Sequence, residues 1–159
     1  MSNNSAVRCL LIPFGAGQLL LPTAVIAEIT SDYEPEHLDD NQHDWLLGII
    51  NWREQRIPLL SIEKALSLPM IHSVKKARTV ILYGLESPHT MAFYAFQTVD
   101  VPRTLAKVTS EDLIINPKAE KHTGLLFNVK VHGTDTAWLP DLSYLENLLA
   151  NKVLKEIKF

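Results

Sequence analysis

Apolar residues along this chain come in short runs more often than at helical spacing. Residues 8–14 and 18–21 read as strands joined by Gly15-Ala16-Gly17, where glycine supplies the freedom a tight loop needs. Pro22 to Ile29, "PTAVIAEI", fits one helical turn or a strand equally well. Residues 31–44, "SDYEPEHLDDNQHD", break the pattern: six acids, no Lys or Arg and one Pro predict a solvated, mobile loop. Residues 46–52 and 56–60 return to apolar, β-branched runs around the polar tip Arg53-Glu54-Gln55-Arg56. Pro58 cannot donate to a ladder, which predicts an edge or a bulge there. Ser61 before "IEKAL" reads as the N-cap of a short helix, and 67–77 as a loop with a basic end. Residues 78–84 and 91–99 are strand-like, "TSEDL" at 109–113 reads as a cap and one helical turn, and 125–131 and 136–139 are further strands. The one long helix is expected at about 143–157. Ser143 and Glu146 have capping-box spacing, Leu145, Leu148, Leu149, Val153 and Ile157 recur at helical intervals, and Lys152, Lys155 and Lys158 fall in its last turns.

Many short strands with regular turn signals predict a mainly β architecture, a sandwich or small barrels. Long helices do not alternate with the strands, which argues against a parallel βαβ sheet. With 159 residues, 47% hydrophobic and 21% charged, the chain is read as one domain, 1–159, able to bury a core without disulfides or metal. Net charge is −3 and evenly spread, giving no footprint for nucleic acid or an anionic membrane. Cys9 is the single cysteine, which excludes an intrachain disulfide and fits a reducing cytoplasm. The N-terminal run "CLLIPFGAGQLLLPTAVIA" is interrupted by Pro13, Gly15, Gly17, Gln18 and Pro22, so it reads as strands rather than a signal peptide. No stretch approaches the ~18 clean apolar residues of a membrane span.

Candidate chemistry is sparse. None of the histidines, at 37, 43, 72, 89, 122 and 132, lies three or four residues from another, so metal-ligand spacing is absent. Cys9 sits in an apolar strand and reads as a core filler. "GAG" is too short to cradle phosphate, and Asp39-Asp40 falls in the acidic loop without the spaced oxygen ligands of a calcium loop. Catalytic residues, cofactor and metal are therefore all expected to be none. Trp45, Trp52 and Trp138 read as core, with Trp52 the one to watch because it precedes the polar tip. A full core without site chemistry points to a binding module whose function lies on exposed turns. A small-ligand-binding β-barrel using spatially gathered histidines is the other class open at this point.

The stretch "WLLGIINWREQRIPLLSIEKAL" resembles the signature of CheW-like domains, through Gly48, Asn51, Arg53, Ile57 and Pro58. "LLLPTAVIAEI" is similar to that family's strand and apolar-x-Glu-apolar segment, through Ile26, Glu28 and Ile29, and "WLPDLSYLENLL" to its closing strand and helix start, through Asp141. The resemblance spans about residues 8 to 149. The details "CLLIPF", "LLLP", "WLLG", "WR" and "FYAF" with "VPR" look closest to ChpC-type proteins of pilus-linked (twitching) chemosensory systems. It implies two small five-stranded SH3-like β-barrels sharing a hydrophobic core, a C-terminal helix, no catalysis and a cytoplasmic location. It implies a signalling adaptor between a CheA-type histidine kinase, through its regulatory domain, and the cytoplasmic tip of a methyl-accepting receptor. A module that only pairs with or modulates other CheW-like proteins is the alternative within the family. The partner-binding residues it implies are Asn51 and Arg53, with Glu54 and Arg56 of the same turn and, less directly, Ile26 and Glu28. Three departures stand out. Glu54 replaces a glycine, and if that position needs positive φ a non-Gly residue costs roughly 1–2 kcal/mol and predicts a rebuilt turn. Ser61 replaces an Asp but caps nearly as well. Ala92 and Phe96 stand where the family has a Gly-rich, Asp-bearing strand.

Overall fold

Strands whose side chains are apolar on both faces need cover on both sides, and this requirement shapes the molecule. The computed structural model describes residues 5–38 and 43–152. In chain order the elements are β1 (Val7–Phe14), β2 (Gly17–Pro22), a 3-10 turn (Thr23–Val25), β3 (Ile26–Ser31), β4 (Leu46–Trp52), β5 (Gln55–Leu60) and α1 (Ile62–Ala65). There follow β6 (Arg78–Tyr83), β7 (Phe93–Gln97), β8 (Arg103–Val108), a 3-10 turn (Ser110–Asp112), β9 (Leu113–Ile115), β10 (Leu125–Val131), β11 (Asp135–Pro140) and α2 (Leu142–Lys152). They form two sheets, ordered β8-β1-β2-β11-β10-β9 and β3-β6-β7-β5-β4. The pairs are antiparallel except β2 with β11 and β5 with β7. The second sheet has the five strands expected, and the first gains a sixth, the three-residue β9.

Alternation along each central strand divides its residues between two interiors. On β1, Cys9 and Leu11 enter the first sheet's own interior with Leu20, Val129, Val131 and Ala137. Leu10, Ile12 and Phe14 point the other way, into a central core shared by both sheets. On β6, Ile81 packs inside the second sheet with Ile50, Trp52, Ile57, Leu59 and Ala95, while Val80 and Leu82 join the central core with Tyr94 and Phe96 of β7. The unbroken runs "CLLI", "LLL" and "VIL" follow directly from this double burial.

Two buried carboxylates cross between the sheets. Glu63, on the helix that follows the second sheet's β5, is 4% exposed and accepts from the Gly15 N–H in the first sheet's β1–β2 turn (2.5 Å) and from the Ser61 hydroxyl (3.0 Å). A Cβ at Gly15 would crowd the buried Glu63 side chain, 2.8 Å from its Cγ, as well as displacing the exposed Met70. Glu146, on the helix that follows the first sheet, is 2% exposed and accepts from the N–H groups of Leu85 (2.6 Å) and Glu86 (3.0 Å) and from the Tyr94 hydroxyl (3.4 Å), all in the second sheet's β6–β7 region. Burial, with the Glu146 carboxylate beside it, pushes the Tyr94 hydroxyl well above the ordinary tyrosine range.

Several sequence expectations change here. "PTAVIAEI" is both alternatives in succession, a 3-10 turn and then β3. Ser61 caps α1 as expected, taking the Lys64 N–H at 3.3 Å. At α2 the expected Ser143–Glu146 box does not form. The helix starts one residue earlier, capped by Asp141, whose carboxylate takes the Tyr144 N–H (3.2 Å). Ser143 instead donates to Glu86, and Glu146 serves the neighbouring loop. Val153, Lys155, Ile157 and Lys158 lie outside the described residues, as do Asp39 and Asp40. The acidic segment is not wholly solvated: Glu36 exchanges both main-chain hydrogen bonds with Ile49 of β4 (2.7 and 2.9 Å). Pro58 sits where β5 leaves its parallel partner, since β5 meets β7 only at Leu59 and Leu60. β8 and β9 are additional strands; β8 buries only Val108 fully, so its apolar alternation is weak.

Removing the Glu146 carboxylate leaves two main-chain donors and a tyrosine hydroxyl without an acceptor at a buried site. Glu146→Ala is therefore expected to cost about 2–4 kcal/mol in urea unfolding, against less than about 0.5 kcal/mol for the exposed control Glu120→Ala. A Glu146→Ala loss no larger than the control's would refute the staple.

Candidate partner-binding site

The tip between β4 and β5 is a two-residue hairpin. Trp52 and Gln55 are its last pair, and Arg53 (φ 47°) and Glu54 (φ 64°) both lie in the left-handed region. That is the backbone of a type I′ turn, whose twist matches the flanking strands. Two non-glycine residues thus carry the strain of this turn.

A cluster across the sheet's two edge strands fixes this tip. Glu28 of β3 accepts from the Trp52 indole Nε1–H (2.9 Å) through one carboxylate oxygen and from Arg53 Nη2 (3.0 Å) through the other. The Arg53 guanidinium lies 4.6 Å from the Trp52 ring centroid, a cation–π contact. Trp52 is buried, so its indole N–H needs an acceptor, and Glu28 supplies it at the surface. The side chains of Arg53 and Glu28 remain 65% and 35% exposed, which leaves both available to a partner. The indole hydrogen bond is the largest influence on the Glu28 carboxyl; desolvation opposes it, and Arg53 adds to it, so the carboxyl is held below the usual carboxylate range. A β-bulge between Ile26 and Glu28 interrupts the ladder at this point of β3.

The other candidate residues flank this cluster. Asn51 and Arg56 face each other across β4 and β5, both exposed, and Arg56 reaches Glu36 at 3.3 Å. Gly48 lets the Glu36 strand approach: a Cβ there would meet the Glu36 carbonyl oxygen at 2.4 Å. Glu54 is exposed at the tip. Ile26 is different, half-buried against the central core. Sequence reasoning did not foresee Glu36, which no local pattern ties to Arg56. It also missed the aromatic row beside the tip, where Phe93 contacts Trp52 (centroids 4.8 Å) and half-exposed Tyr83 (5.6 Å). A notch of about 190 Å³ lies between Gln55–Pro58 and His89–Phe93. Among the described residues, no three His, Cys, Asp or Glu side chains gather as a metal would require.

A family model described as the CheW-like domain matches residues 8–112. The chain belongs to the CheW-like domain family. The matched span contains Glu28, Gly48 and the whole Asn51–Arg56 hairpin, so the cluster lies within the domain's recognisable part. No curated protein matches the chain. Among solved structures, the scaffolding protein TtCheW from Thermoanaerobacter tengcongensis is similar, with a TM-score of 0.69 and 14% identity, covering 86% of this chain and 85% of that one. At that identity the likeness establishes a shared fold, two β-sheets and a C-terminal helix in a CheW-like arrangement.

Two predictions follow from the geometry of this CheW-like hairpin. Glu54→Gly relieves left-handed strain at an exposed site, and the net effect is a stabilisation of about 1 kcal/mol in chemical denaturation, with glycine's extra unfolded-state entropy offsetting part of the gain. A loss of stability would show that position 54 is unstrained. The Glu28 shift sets a pH dependence. A carboxyl with a depressed folded pKa contributes stability that is present above its unfolded value and lost as pH falls through the folded one. The Trp52 indole proton resonance is therefore expected to stay constant from neutral pH to the ordinary glutamate range and to move only below it. Movement centred above that range would contradict the assignment.

Proposed function

We propose that this CheW-like domain is a non-enzymatic adaptor that couples the cytoplasmic tip of a methyl-accepting receptor to a CheA-type histidine kinase through the kinase's regulatory domain. The observation that carries the reading is the exposed Arg53, held in one place by Glu28 and the Trp52 ring on a rigid hairpin. A guanidinium fixed before binding loses little rotamer entropy when a partner carboxylate or carbonyl engages it, which is how a few residues come to dominate an interface. Asn51, Arg56 and the Glu54 carboxylate extend the same surface, and Glu28 belongs to it as the group that orients Arg53. Ile26 acts from below, packing β3 against the core. Family membership supports the adaptor role and the absence of catalysis. The resemblance of "CLLIPF", "LLLP" and the "FYAF" with "VPR" stretch supports a pilus-linked system, and a cytoplasmic location follows from the partners proposed.

Arg53→Glu is expected to abolish capture by a receptor tip or kinase regulatory domain in a pull-down. The pair is exposed, so the melting temperature should change by no more than the equivalent of about 1 kcal/mol. Undiminished capture by that variant would remove Arg53 from the site.

A further inference from the structure

A cleft of about 450 Å³ opens where the β1–β2 turn of the first sheet meets the connections of the second. One wall comes from the first sheet: Pro13 and Gln18 face each other at the turn, and Trp138 of β11 lies beside Leu19 of β2. The other wall is the segment 72–75 with Val99 and Asp100. Main-chain bonds lock the walls together. Val99 N–H donates to the Pro13 carbonyl (3.1 Å), Lys75 N–H to the Val99 carbonyl (2.8 Å) and His72 N–H to the Gly15 carbonyl (2.9 Å). The volume falls in the range of small-molecule sites, and the cleft is formed before any ligand arrives. Its polar side chains are also open. Those of Gln18, His72, Ser73, Lys75, Thr136 and Trp138 make no hydrogen bond to another described residue. Two smaller grooves differ: Arg56 in one is paired with Glu36, and Ser61 and Glu63 in the other bond each other.

The charges choose the ligand. Lys75 and Asp100 belong to the same wall, yet neither forms an ion pair with the other or with another described residue. Asp100 accepts the Val101 N–H through Oδ1 (2.8 Å), which leaves Oδ2 open, and the Thr98 hydroxyl fixes the Asp100 carbonyl (2.7 Å). One open ammonium and one open carboxylate oppose a ligand of single charge: Asp100 repels an anion and Lys75 repels a cation. A zwitterion meets both. The remaining donors, on Gln18, Ser73, Thr136 and the Trp138 indole, suit carboxylate oxygens, and Pro13, Ala16, Val99 and the Trp138 ring supply apolar wall. We propose that this cleft binds a free apolar α-amino acid, its carboxylate on Lys75, its ammonium on Asp100 and its side chain against Trp138. The two charged side chains root beside one main-chain hydrogen bond, Lys75 to Val99, so they meet charges that are close together, as on one amino acid and not at the ends of a long peptide. The ligand is small and the cleft open, so the expected dissociation constant is about 1 mM. The site uses none of the hairpin residues and stands independently of the adaptor reading.

The test is a titration of the whole chain with L-phenylalanine, followed by amide and indole NMR resonances. Two further probes each lack one charge: 3-phenylpropionate has no ammonium and phenethylamine no carboxylate. Saturable movement is expected at the Gln18, Ser73 and Asp100 amides and at the Trp138 indole N–H. Each single-charge probe is expected to bind at least about tenfold more weakly, because it leaves one charge of the cleft unmet. Asp100→Asn keeps an acceptor for the Val101 N–H and removes the charge. It is expected to weaken phenylalanine at least about fivefold and to strengthen 3-phenylpropionate, a reversal that a folding defect would not produce. Lys75→Met is expected to shift preference toward phenethylamine in the same way. The absence of saturable movement up to about 20 mM overturns the proposal, since that is roughly twenty times the expected constant. So does equal binding of the three probes, tighter binding of 3-phenylpropionate or of inorganic phosphate than of phenylalanine, or movement confined to residues outside the cleft. An unchanged order of preference in both variants, with well-dispersed spectra, overturns it as well.

Discussion

The central core shared by the two sheets is the constraint on which the remaining structure depends. A strand such as β1 presents Leu11 to one side and Ile12 to the other, both fully buried. A single sheet rolled on itself can cover only one of those faces. The second face of β1, β2, β6 and β7 is therefore an obligatory contact, and each sheet completes the other's burial. Glu63 and Glu146 belong to the same logic. Each lies on a helix that follows a strand of one sheet, β5 or β11, and reaches a turn of the other, where it satisfies main-chain N–H groups that the contact would otherwise bury unpaired. A buried carboxylate is an expensive group unless such donors meet it, so the two residues discriminate against misdocked arrangements as much as they stabilise the correct one.

The candidate site inherits its rigidity from that core. Trp52 is anchored inside the second sheet by Ile50, Ile57 and Leu59, and its indole N–H donates outward to Glu28. Glu28 meets it there from β3, the strand at the far end of the same sheet in hydrogen-bonding order. One carboxylate thus joins the two edge strands and aims Arg53. Glu36 lines the outer side of β4 through Gly48, where no side chain could be tolerated. The tip is consequently surrounded by fixed groups on both sides.

What the sequence disclosed follows the same division. Strands buried on both faces were legible, because a run such as "VILY" has no competing reading once turn residues bound it. Ser61 was legible because an N-cap is a local device whose donor lies three residues away. Ser143 and Glu146 had the same local spacing and were misleading, since the tertiary donors at Leu85 and Glu86 claimed Glu146 and left the cap to Asp141. β9 was invisible because three residues are too few to show a period, and β8 because most of it faces solvent. At the site, Arg53 and Glu28 were recognisable only through the family pattern. Their meeting depends on which strands end the sheet, and no spacing within the chain encodes that. Glu36 had no signal at all, for the same reason.

The strain at Arg53 and Glu54 is informative when set beside the clasp. Two successive left-handed residues that are not glycine persist only where the surroundings over-determine them. Here the register of β4 and β5, the anchored indole and the Glu28 bridge do so together. Glycine at position 54 would remove strain but also remove the charged side chain from the exposed tip of the hairpin. A chain that keeps glutamate there holds a carboxylate beside the oriented guanidinium of Arg53, so the tip presents both signs of charge within one turn. Such a surface suits a partner with a complementary pair of charges and opposes one that is uniformly acidic or uniformly basic. The departure at Glu54 therefore places a charged side chain on a left-handed position of a type I′ turn.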